Sequence, residues 1–417
     1  MDVQIKPGIQ ALVLPDRRFK TVRIDLHFLK HAAIKDLAAR SLVANILETS
    51  TQKYNNQVKF THALSEMFGA SFGVGAGKKG NTHDVGFSII VANDKYVQGQ
   101  SLIRTAIDFL NEVIMHPLRE NNGFDDETFM RQKQNMINYV KSSIEDKQYW
   151  SAQQLRSLTF GTKVIQGVPG YGLIEDLEGL QNEDVYRAYL DMIENDLIHI
   201  SVSGDVDSDA VLQDLSRFEF TKRNINLGTL ITNFAVLDHE LKRVEHQDVK
   251  QARLNLSYNI PAFITSDDSF TAIVFNSLFG GSPQSKLFVN VREKASLAYY
   301  ASSSLDLYDG ILNVQTGING MNHDQTVEII NRQLEDIQNG DFAELELNNI
   351  KKGLRSDYLA GMDQQRTAHR RGLNDYLLHR HVSAEQWLEK LDEVTKQNIE
   401  EMARRVKVRA EFFLNGD

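Results

Sequence analysis

The chain of 417 residues contains no cysteine, which excludes disulfide bonds, thiolate catalysis and cysteine-ligated zinc. It has only six prolines, and no proline-rich or serine-rich linker interrupts it. No run of about 18 or more apolar residues occurs, so we expect no membrane-spanning helix. The segment Met1–Pro7 lacks the apolar stretch of a secretory signal. We therefore expect a cytoplasmic protein.

An excess of basic charge is also missing, since the formal net charge is −10 and the isoelectric point is about 5.7. Binding to nucleic acid or to an anionic membrane surface requires clustered Lys and Arg, so neither is expected as a partner. What is present is globular in composition, with 41% hydrophobic and 24% charged residues. A chain of 417 residues is too long for one ordinary core, so two or more domains are expected.

The two halves of the sequence resemble each other in the order of their predicted elements. Ser65–Gly73 can be laid on Arg292–Tyr300, because each segment closes a helix and opens a pair of strands. Long helical pairs are predicted over Phe124–Gly161 and again over Phe342–Arg380. The shared order indicates a tandem duplication of one α+β unit.

We predict an α+β fold in which a mostly antiparallel sheet, with helices packed on one face, occurs twice. The predicted first domain covers residues 1–220 and the second covers 245–417, with a polar connector at 221–244.

A glycine-rich segment, Gly75–Gly80, matches the pattern G-x-G-x-x-G. A dinucleotide-binding loop of that pattern is followed by a helix whose N-terminus holds the phosphates. The residues that follow, Asn81–Val91, alternate between polar and apolar as a strand does. We therefore predict a hairpin turn at this place and no phosphate site.

A second glycine-containing segment begins at Gly280 and leads to Arg292 and Tyr299. Gly280 and Gly281 are followed by Ser282 and Pro283, which are predicted to cap and start a helix. Arg292 falls near the end of that helix, and Tyr299 opens the next strand seven residues later.

The run from Gly280 to Tyr299 resembles the arginine–tyrosine segment of the M16 zinc peptidases, the pitrilysin-like and mitochondrial-processing-peptidase-like enzymes. Ser296 stands where that family usually has glycine, and Ala295 where a charged residue is common. The resemblance implies that Arg292 and Tyr299 contact the substrate backbone and help to stabilise the oxyanion. The alternatives are an ion pair at the helix end for Arg292 and a core-packed aromatic ring for Tyr299.

The inverted zinc motif of these peptidases, His-x-x-Glu-His, is absent from the chain. The best overlay lies in the predicted helix Leu37–Thr49, where Asn45 and Thr49 replace both histidines and Glu48 remains. In these peptidases the third zinc ligand is a glutamate from a later helix. The matching segment here, Ile137–Val140, contains no carboxylate. Neither Asn nor Thr is a good zinc donor, so we expect this chain to bind no metal.

Other residues offer no substitute catalytic site. Glu245–His246 is half of an inverted motif, with Lys242 where the first histidine would stand. His369, Arg370 and Arg371 lie on the predicted second-half helix, where a cationic face could meet an acidic partner or peptide; the alternative is a solvated face. No G-x-S-x-G segment occurs, so no serine nucleophile is predicted.

The resemblance to small bacterial M16 proteins implies a LuxS/MPP-like metallohydrolase fold, with two domains enclosing a cavity. It implies a substrate-binding subunit that works with a zinc-bearing M16 partner on peptides, while self-association stays open. A peptide would add to a sheet edge, and the residues that match it are Ala70, Ser71, Phe72, Gly73 and Val74. The alternatives are a bulged edge strand with no ligand, and a non-enzymatic peptide-binding or scaffold protein.

Overall fold

The computed structural model describes residues 1–97 and 101–416, which form two compact units. The first unit consists of Met1–Lys141, Pro169–Leu230 and Gln364–His379. The second consists of Ser142–Val168, Ile231–Asp363 and the chain from Arg380 to the end of the described residues.

These units differ from the predicted ranges 1–220 and 245–417 in two segments. Residues 142–168 pack in the second unit, and residues 364–379 pack in the first. Comparing the order of predicted elements in the two halves cannot reveal this exchange. Each exchanged segment keeps its place in the sequence but packs against the sheet of the other half.

The strands follow one another along the chain as β1 (Asp2–Lys6), β2 (Ile9–Pro15), β3 (Thr21–His31), β4 (Ser71–Lys79), β5 (Thr82–Ala92), β6 (Arg119–Glu120), β7 (Gly123–Phe124), β8 (Leu197–Gly204), β9 (Leu241–His246), β10 (Ala252–Asn259), β11 (Ala298–Asp306), β12 (Ile311–Ile318) and β13 (Lys407–Asn415). The helices are α1 (Ile34–Leu47), α2 (Gln57–Glu66), α3 (Leu102–Met115), α4 (Asp126–Glu145), α5 (Lys147–Phe160), α6 (Ile174–Gly179), α7 (Asn182–Asn195), α8 (Ser208–Leu215), α9 (Ser269–Asn276), α10 (His323–Gln338), α11 (Glu344–Met362), α12 (Gln365–Leu377), α13 (Ala384–Glu393) and α14 (Lys396–Arg405). None of these helices is both long and apolar enough to cross a membrane.

Side-chain caps start several of these helices. Asn56 accepts a hydrogen bond from the Lys59 N–H at the start of α2, over 2.9 Å. Asp146 separates α4 from α5 and accepts from two N–H groups of the first turn of α5. Thr395 and Asn398 form a reciprocal capping box at the start of α14. Such caps satisfy backbone donors that have no partner inside the helix.

The main sheets of the two units share one strand order. In the first unit the order is β1-β2-β8-β3-β5-β4, and in the second it is β11-β12-β10-β13-β9. Read from the β4 edge and from the β11 edge, five strands correspond one to one. Neighbours are antiparallel except β2 with β8 and β13 with β9, which are parallel at corresponding places. The prediction of mostly antiparallel sheets is confirmed.

One face of each sheet forms the core of its unit, as strand alternation requires. Ile24, Leu26 and Phe28 of β3 are fully buried on this face in the first unit. Leu254 and Leu256 of β10 belong to the corresponding core of the second unit. Helix α3 covers β5 on this face, and its buried residues recur at helical spacing.

The other face of each sheet is covered by a helix, so the prediction of helices on one face only is wrong in this respect. Helix α12 packs on β8 in the first unit, and α5 packs on β10 and β13 in the second. We call α5 and α12 the crossover helices, because each comes from the half of the sequence opposite to the sheet that it covers.

Candidate functional site

The helix that matches the zinc motif ends before the motif does. Helix α1 spans Ile34–Leu47, shorter at its C-terminus than predicted, and Glu48 is its C-cap. Thr49 lies beyond the helix, and its Oγ1 donates to the Ile46 carbonyl over 2.9 Å. Asn45 and Thr49 therefore do not share a helix face, as residues four apart must in order to hold one metal ion. Their side chains are also an amide and a hydroxyl, so these positions do not fit zinc.

Histidine and carboxylate side chains do not replace the missing site. Among residues 1–97 and 101–416, no three such groups lie together in a way that could hold a metal ion. His27 and His31 lie on β3 and have other partners. The ring of His27 bonds to the Asp84 carboxylate at 2.9 Å, and the ring of His31 bonds to the Leu227 carbonyl at 3.1 Å.

Glu48, the remaining residue of the motif, contacts the edge strand. Its Oε1 accepts a hydrogen bond from the Val74 N–H at 3.4 Å. The same oxygen lies 3.6 Å from the place where a Cβ on Gly73 would be. Glu48 is half-buried, and burial raises the pKa of its carboxyl group. The carboxyl group that would be a general base in a zinc peptidase thus lies against the predicted substrate strand.

Strand β4 is an edge of the first sheet, as predicted for the substrate-binding segment. Ala70 lies just before the strand, and Ser71 to Val74 form its first part. The ring of Phe72 packs against Phe60 and Phe109 at centroid distances of 5.7 and 5.3 Å. This half of the edge is therefore fixed to the helices beneath it.

The second half of β4 is open on its glycine face. A Cβ added at Gly75 or Gly77 would meet nothing within 4 Å. Gly80 then turns the chain with a φ of 52°, and β5 follows at Thr82. The predicted hairpin is confirmed, and the G-x-G-x-x-G pattern lies in it rather than before a helix.

In the second unit, Arg292 lies on a π-helical segment, Phe288–Lys294, rather than at the end of an α-helix. The i→i+5 pattern is seen where the Ala295 N–H donates to the Asn290 carbonyl over 3.2 Å. Leu287 and Val291 are fully buried and hold this segment on the core. Such wide turns are uncommon and occur often at functional sites.

The prediction that Ser282 and Pro283 start this helix is wrong. The Ser282 hydroxyl instead donates to the Ser277 carbonyl over 2.9 Å, closing a separate π-helical segment at Ser277–Gly281. Ser285 is the residue that accepts from the Phe288 N–H, at 3.4 Å. The glycine pair therefore ends one helix, and the helix that carries Arg292 begins after a short turn.

Arg292 and Tyr299 are both exposed. The Arg292 guanidinium stacks over the Phe288 ring at 4.5 Å and makes no ion pair within the described parts of the chain. Tyr299 is 76% exposed and lies on β11 at an irregularity in its pairing with β12, between Ala298 and Tyr300. The structure therefore shows neither a helix-end ion pair for Arg292 nor a core-packed ring for Tyr299.

The turn between these two residues has an unusual backbone. Ser296 has a φ of 51°, in the left-handed region that glycine adopts without steric cost. It is the position at which the M16 pattern usually has glycine. Gly69, its counterpart when Ser65–Gly73 is laid on Arg292–Tyr300, has a φ of 74°. One left-handed position is thus occupied by glycine in one unit and by serine in the other, although the preceding residues differ: Phe68 has a φ of 58° and Ala295 a φ of −80°.

A hydrogen-bonded Ser–His–Asp series lies in the first unit and was not predicted from the sequence. The His369 ring of α12 bonds through Nδ1 to Asp25 Oδ2 at 2.9 Å and through Nε2 to Ser203 Oγ at 2.7 Å. Because a carboxylate only accepts, Nδ1 carries a proton. Asp25 also accepts from Arg23 Nε over 2.9 Å. No sequence signal connects His369 with Asp25, which is 344 positions away.

The three residues are hydrogen-bonded in the same order as a catalytic triad, but they are not accessible to a substrate. Asp25 is 5% exposed, and Ser203 and His369 are each 2% exposed. A nucleophilic serine must meet its substrate, so a hydroxyl enclosed between a sheet and a helix does not act as one. Burial alone would raise the pKa of Asp25, but the hydrogen bonds and charges of His369 and Arg23 outweigh it and hold that pKa far below its usual range. We interpret the group as the anchor of α12.

Comparison with known proteins agrees with this geometry. A family model described as "Peptidase M16 inactive domain" matches residues 179–354. The chain is 30% identical over 417 residues to a Bacillus subtilis protein named "Probable inactive metalloprotease YmfF", covering 98% of this chain and 96% of that relative. The chain belongs to the M16 peptidase family.

Solved structures agree with this assignment. A conserved protein from Enterococcus faecalis V583 is similar with a TM-score of 0.95 and 35% identity, covering 100% of this chain and 98% of that one. A structure from Pseudomonas fluorescens titled as a peptidase M16 inactive domain has a TM-score of 0.78 over 100% of this chain and 98% of that one. At its 13% identity, the likeness concerns the fold alone. The mixed helices and sheets of this chain are therefore those of the M16 fold.

As an M16 chain, this protein combines two properties. The overlay assigns the zinc-binding positions to Asn45 and Thr49, which do not fit a metal. The arginine–tyrosine segment of the family pattern ends in two exposed side chains, Arg292 and Tyr299. The first unit contains the degenerate motif and the edge strand β4, and the second contains the arginine–tyrosine segment.

Proposed function

We propose that this chain is the non-catalytic, substrate-binding subunit of a heterodimeric zinc peptidase that acts on peptides in the cytoplasm. A zinc-bearing M16 partner with an intact His-x-x-Glu-His motif would supply the metal, and this chain would bind none. The observation that carries the proposal is the exposure of Arg292 and Tyr299, without an ion pair for Arg292 among the described residues, in a chain whose positions 45 and 49 lack metal ligands.

Arg292 suits the binding of a peptide backbone. A guanidinium offers a planar set of donors that match a carbonyl or carboxylate oxygen, and this one is stacked on Phe288 rather than held by a carboxylate. The stacking limits the conformations of the side chain, so less entropy is lost when a substrate binds. Tyr299 brings a phenol that can donate one hydrogen bond to an oxygen carrying developing negative charge.

Strand β4 is proposed to hold the substrate as an added strand at Ala70, Ser71, Phe72, Gly73 and Val74. An edge strand presents unpaired backbone groups to a peptide, and these supply affinity without requiring one side-chain sequence. The glycines of β4 leave the adjacent face of the strand uncovered. This arrangement suits unfolded peptides of varied sequence.

We also propose that the chain arose by tandem duplication and has a LuxS/MPP-like fold. The matched strand orders, with parallel neighbours at corresponding places, support the duplication. The left-handed turns at Gly69 and Ser296 support it independently, because they coincide in the overlay of the two halves.

The test is reconstitution of the complex. The chain is purified from native lysate with its bound proteins, and the complex is assayed for zinc and for cleavage of a quenched fluorescent peptide library. We expect cleavage only when a partner with His-x-x-Glu-His is present. Arg292→Ala and Tyr299→Phe should lower kcat/KM by about 10²-fold or more, as loss of a transition-state contact does. Arg332→Ala removes another exposed arginine of the second unit and should leave cleavage unchanged.

The second candidate is a peptide-binding or scaffold protein without proteolysis. The relative named a probable inactive metalloprotease, which matches nearly the whole chain, favours it. Peptide binding by the purified chain, together with no zinc and no cleavage in any co-purified complex, would establish this function. Stoichiometric zinc in the chain alone would contradict both candidates.

A further inference from the structure

The backbone of β4 limits where an added strand can bind. The Val74 N–H points at Glu48 and therefore away from β5, the neighbouring strand of the sheet. In antiparallel pairing, backbone groups point toward and away from the neighbour in alternation. Phe72, Val74 and Ala76 thus direct their N–H and C=O groups to the open side of the edge.

A loop covers the far end of this edge. A Cβ on Gly170 would lie 3.6 Å from both the Gly77 Cα and the Lys78 N, so the chain at Gly170 lies directly on β4 there. The Gly170 carbonyl is held in place by the His83 ring, whose Nε2 is 3.2 Å away. The accessible edge therefore runs from Phe72 to Ala76, and Val74 is at its centre.

The Glu48 carboxylate already accepts a hydrogen bond from the Val74 N–H, the central donor of this accessible edge. A peptide strand that pairs with β4 takes the Val74 N–H for one of its own carbonyl groups, so the Glu48 carboxylate must give it up. Glu48 is half-buried, and no lysine, arginine or histidine of the described residues forms an ion pair with it. A partly buried carboxylate that loses its hydrogen bond without gaining a partner is costly.

We propose that Glu48 makes this edge selective for extended peptide segments that carry a lysine or arginine side chain beside it. The cationic group would form an ion pair with the displaced carboxylate and so offset the loss of the Val74 hydrogen bond. A segment with a carboxylate at the same place would leave two unpaired negative charges close together. The inference rests on the proposed peptide-binding function and assigns Glu48 a role as a specificity-determining residue.

The test uses two fluorescein-labelled peptides of about eight residues, long enough for one strand. They are built from threonine and valine and differ only in a central lysine or glutamate. Fluorescence anisotropy with the full-length chain should show that the lysine peptide binds about tenfold more tightly, as one charge-assisted hydrogen bond corresponds to. A third peptide with a central proline should bind weakly, because it cannot pair along the edge.

The variants separate Glu48 from general charge effects. Glu48→Ala should bind both peptides equally, and the glutamate peptide should gain the most affinity. Glu48→Gln keeps the shape and the hydrogen bond but removes the charge, so the preference should disappear without unfolding. Glu194→Ala removes an exposed carboxylate from α7 and should keep the preference. Hydrogen exchange of residues 71–76 in the free chain should become faster in Glu48→Ala.

The outcomes distinguish this inference from the proposed function. A tenfold preference that persists in Glu48→Ala and Glu48→Gln would overturn the role of Glu48 while leaving peptide binding intact. Equal binding of the two peptides by the wild-type chain would overturn it as well. Absence of binding of any peptide by any variant would overturn the peptide-binding function and the inference together.

Discussion

The two crossover helices cover equivalent sheet faces with different chemistry. In the first unit, α12 is anchored by a buried charged group, His369 with Asp25 and Ser203. In the second, α5 packs through an apolar cluster of Leu155 with residues of β13. Thr159 adds two hydrogen bonds, between its hydroxyl and Ser257 at 2.7 Å and from Arg409 Nε to its carbonyl at 2.9 Å.

This difference shows that the same arrangement of helix on sheet can be held by a buried carboxylate in one unit and largely by apolar packing in the other. A buried ion pair adds little net stability when intact, but loss of one partner leaves an uncompensated charge. An apolar cluster contributes in proportion to the area it buries and does not respond to pH. The crossover helix of the first unit should therefore be more sensitive to acid than that of the second, and α5 should respond mainly to the loss of buried volume.

The largest effect is expected from His369→Ala. The change leaves the buried Asp25 carboxylate with Arg23 alone and should lower the free energy of unfolding by about 3–5 kcal/mol. Chemical denaturation measures this loss, and hydrogen exchange should place the increased opening in residues 365–377. Arg366→Ala, an exposed change on the same helix, should have almost no effect. If the two variants are equally stable, the buried group is not the anchor of α12.

The corresponding change in the second unit is Leu155→Ala. Leu155 is 2% exposed, and its removal should lower the free energy of unfolding by about 2–4 kcal/mol through lost burial and a cavity. Calorimetry would measure the change. Leu158→Ala, partly buried against the same cluster, should cost less. A smaller cost for Leu155→Ala than for Leu158→Ala would contradict the packing described for α5.

Acid should destabilise the packing of α12 at a higher pH than that of α5. The pKa of Asp25 is lower in the folded chain than in the unfolded chain, so its contribution to stability is complete above the unfolded pKa of about 4. It is lost as the pH falls below that value toward the folded pKa. Hydrogen exchange between pH 6 and 3, corrected for the intrinsic rate, should show α12 losing protection before α5. Asp25→Asn should remove this difference, and simultaneous loss in both helices would argue against it.

The smallest effect concerns the left-handed residues Gly69 and Ser296, which coincide in the overlay of the two halves. Ser296→Gly should raise the free energy of unfolding by about 0.5–1 kcal/mol, because serine at positive φ is strained there. Gly69→Ser should lower it by a similar amount, since Gly69 has a φ of 74° and no atom crowds a Cβ at that place. Thermal denaturation of the two variants and the double variant tests the pair. Shifts in the same direction would show that the turns are not equivalent.

Prediction from sequence succeeded where chemistry is local. Alternation after Gly80 identified β5, and with it a hairpin instead of a phosphate loop. The absence of histidine at positions 45 and 49 could be read directly. The helix cap at Ser282 was wrong because its hydroxyl bonds to Ser277, an interaction that depends on a π-helical turn no local pattern predicts.

The sequence by itself determined the composition of each candidate site: which residues could bind zinc, which could grip a peptide, and which strands alternate. Only the tertiary structure decided that α5 and α12 exchange halves, that His369 anchors to Asp25, and that Glu48 lies on Val74. The physical reason is distance along the chain. Strand alternation and helix caps act over a few residues, whereas these contacts join residues that only the folded backbone brings together.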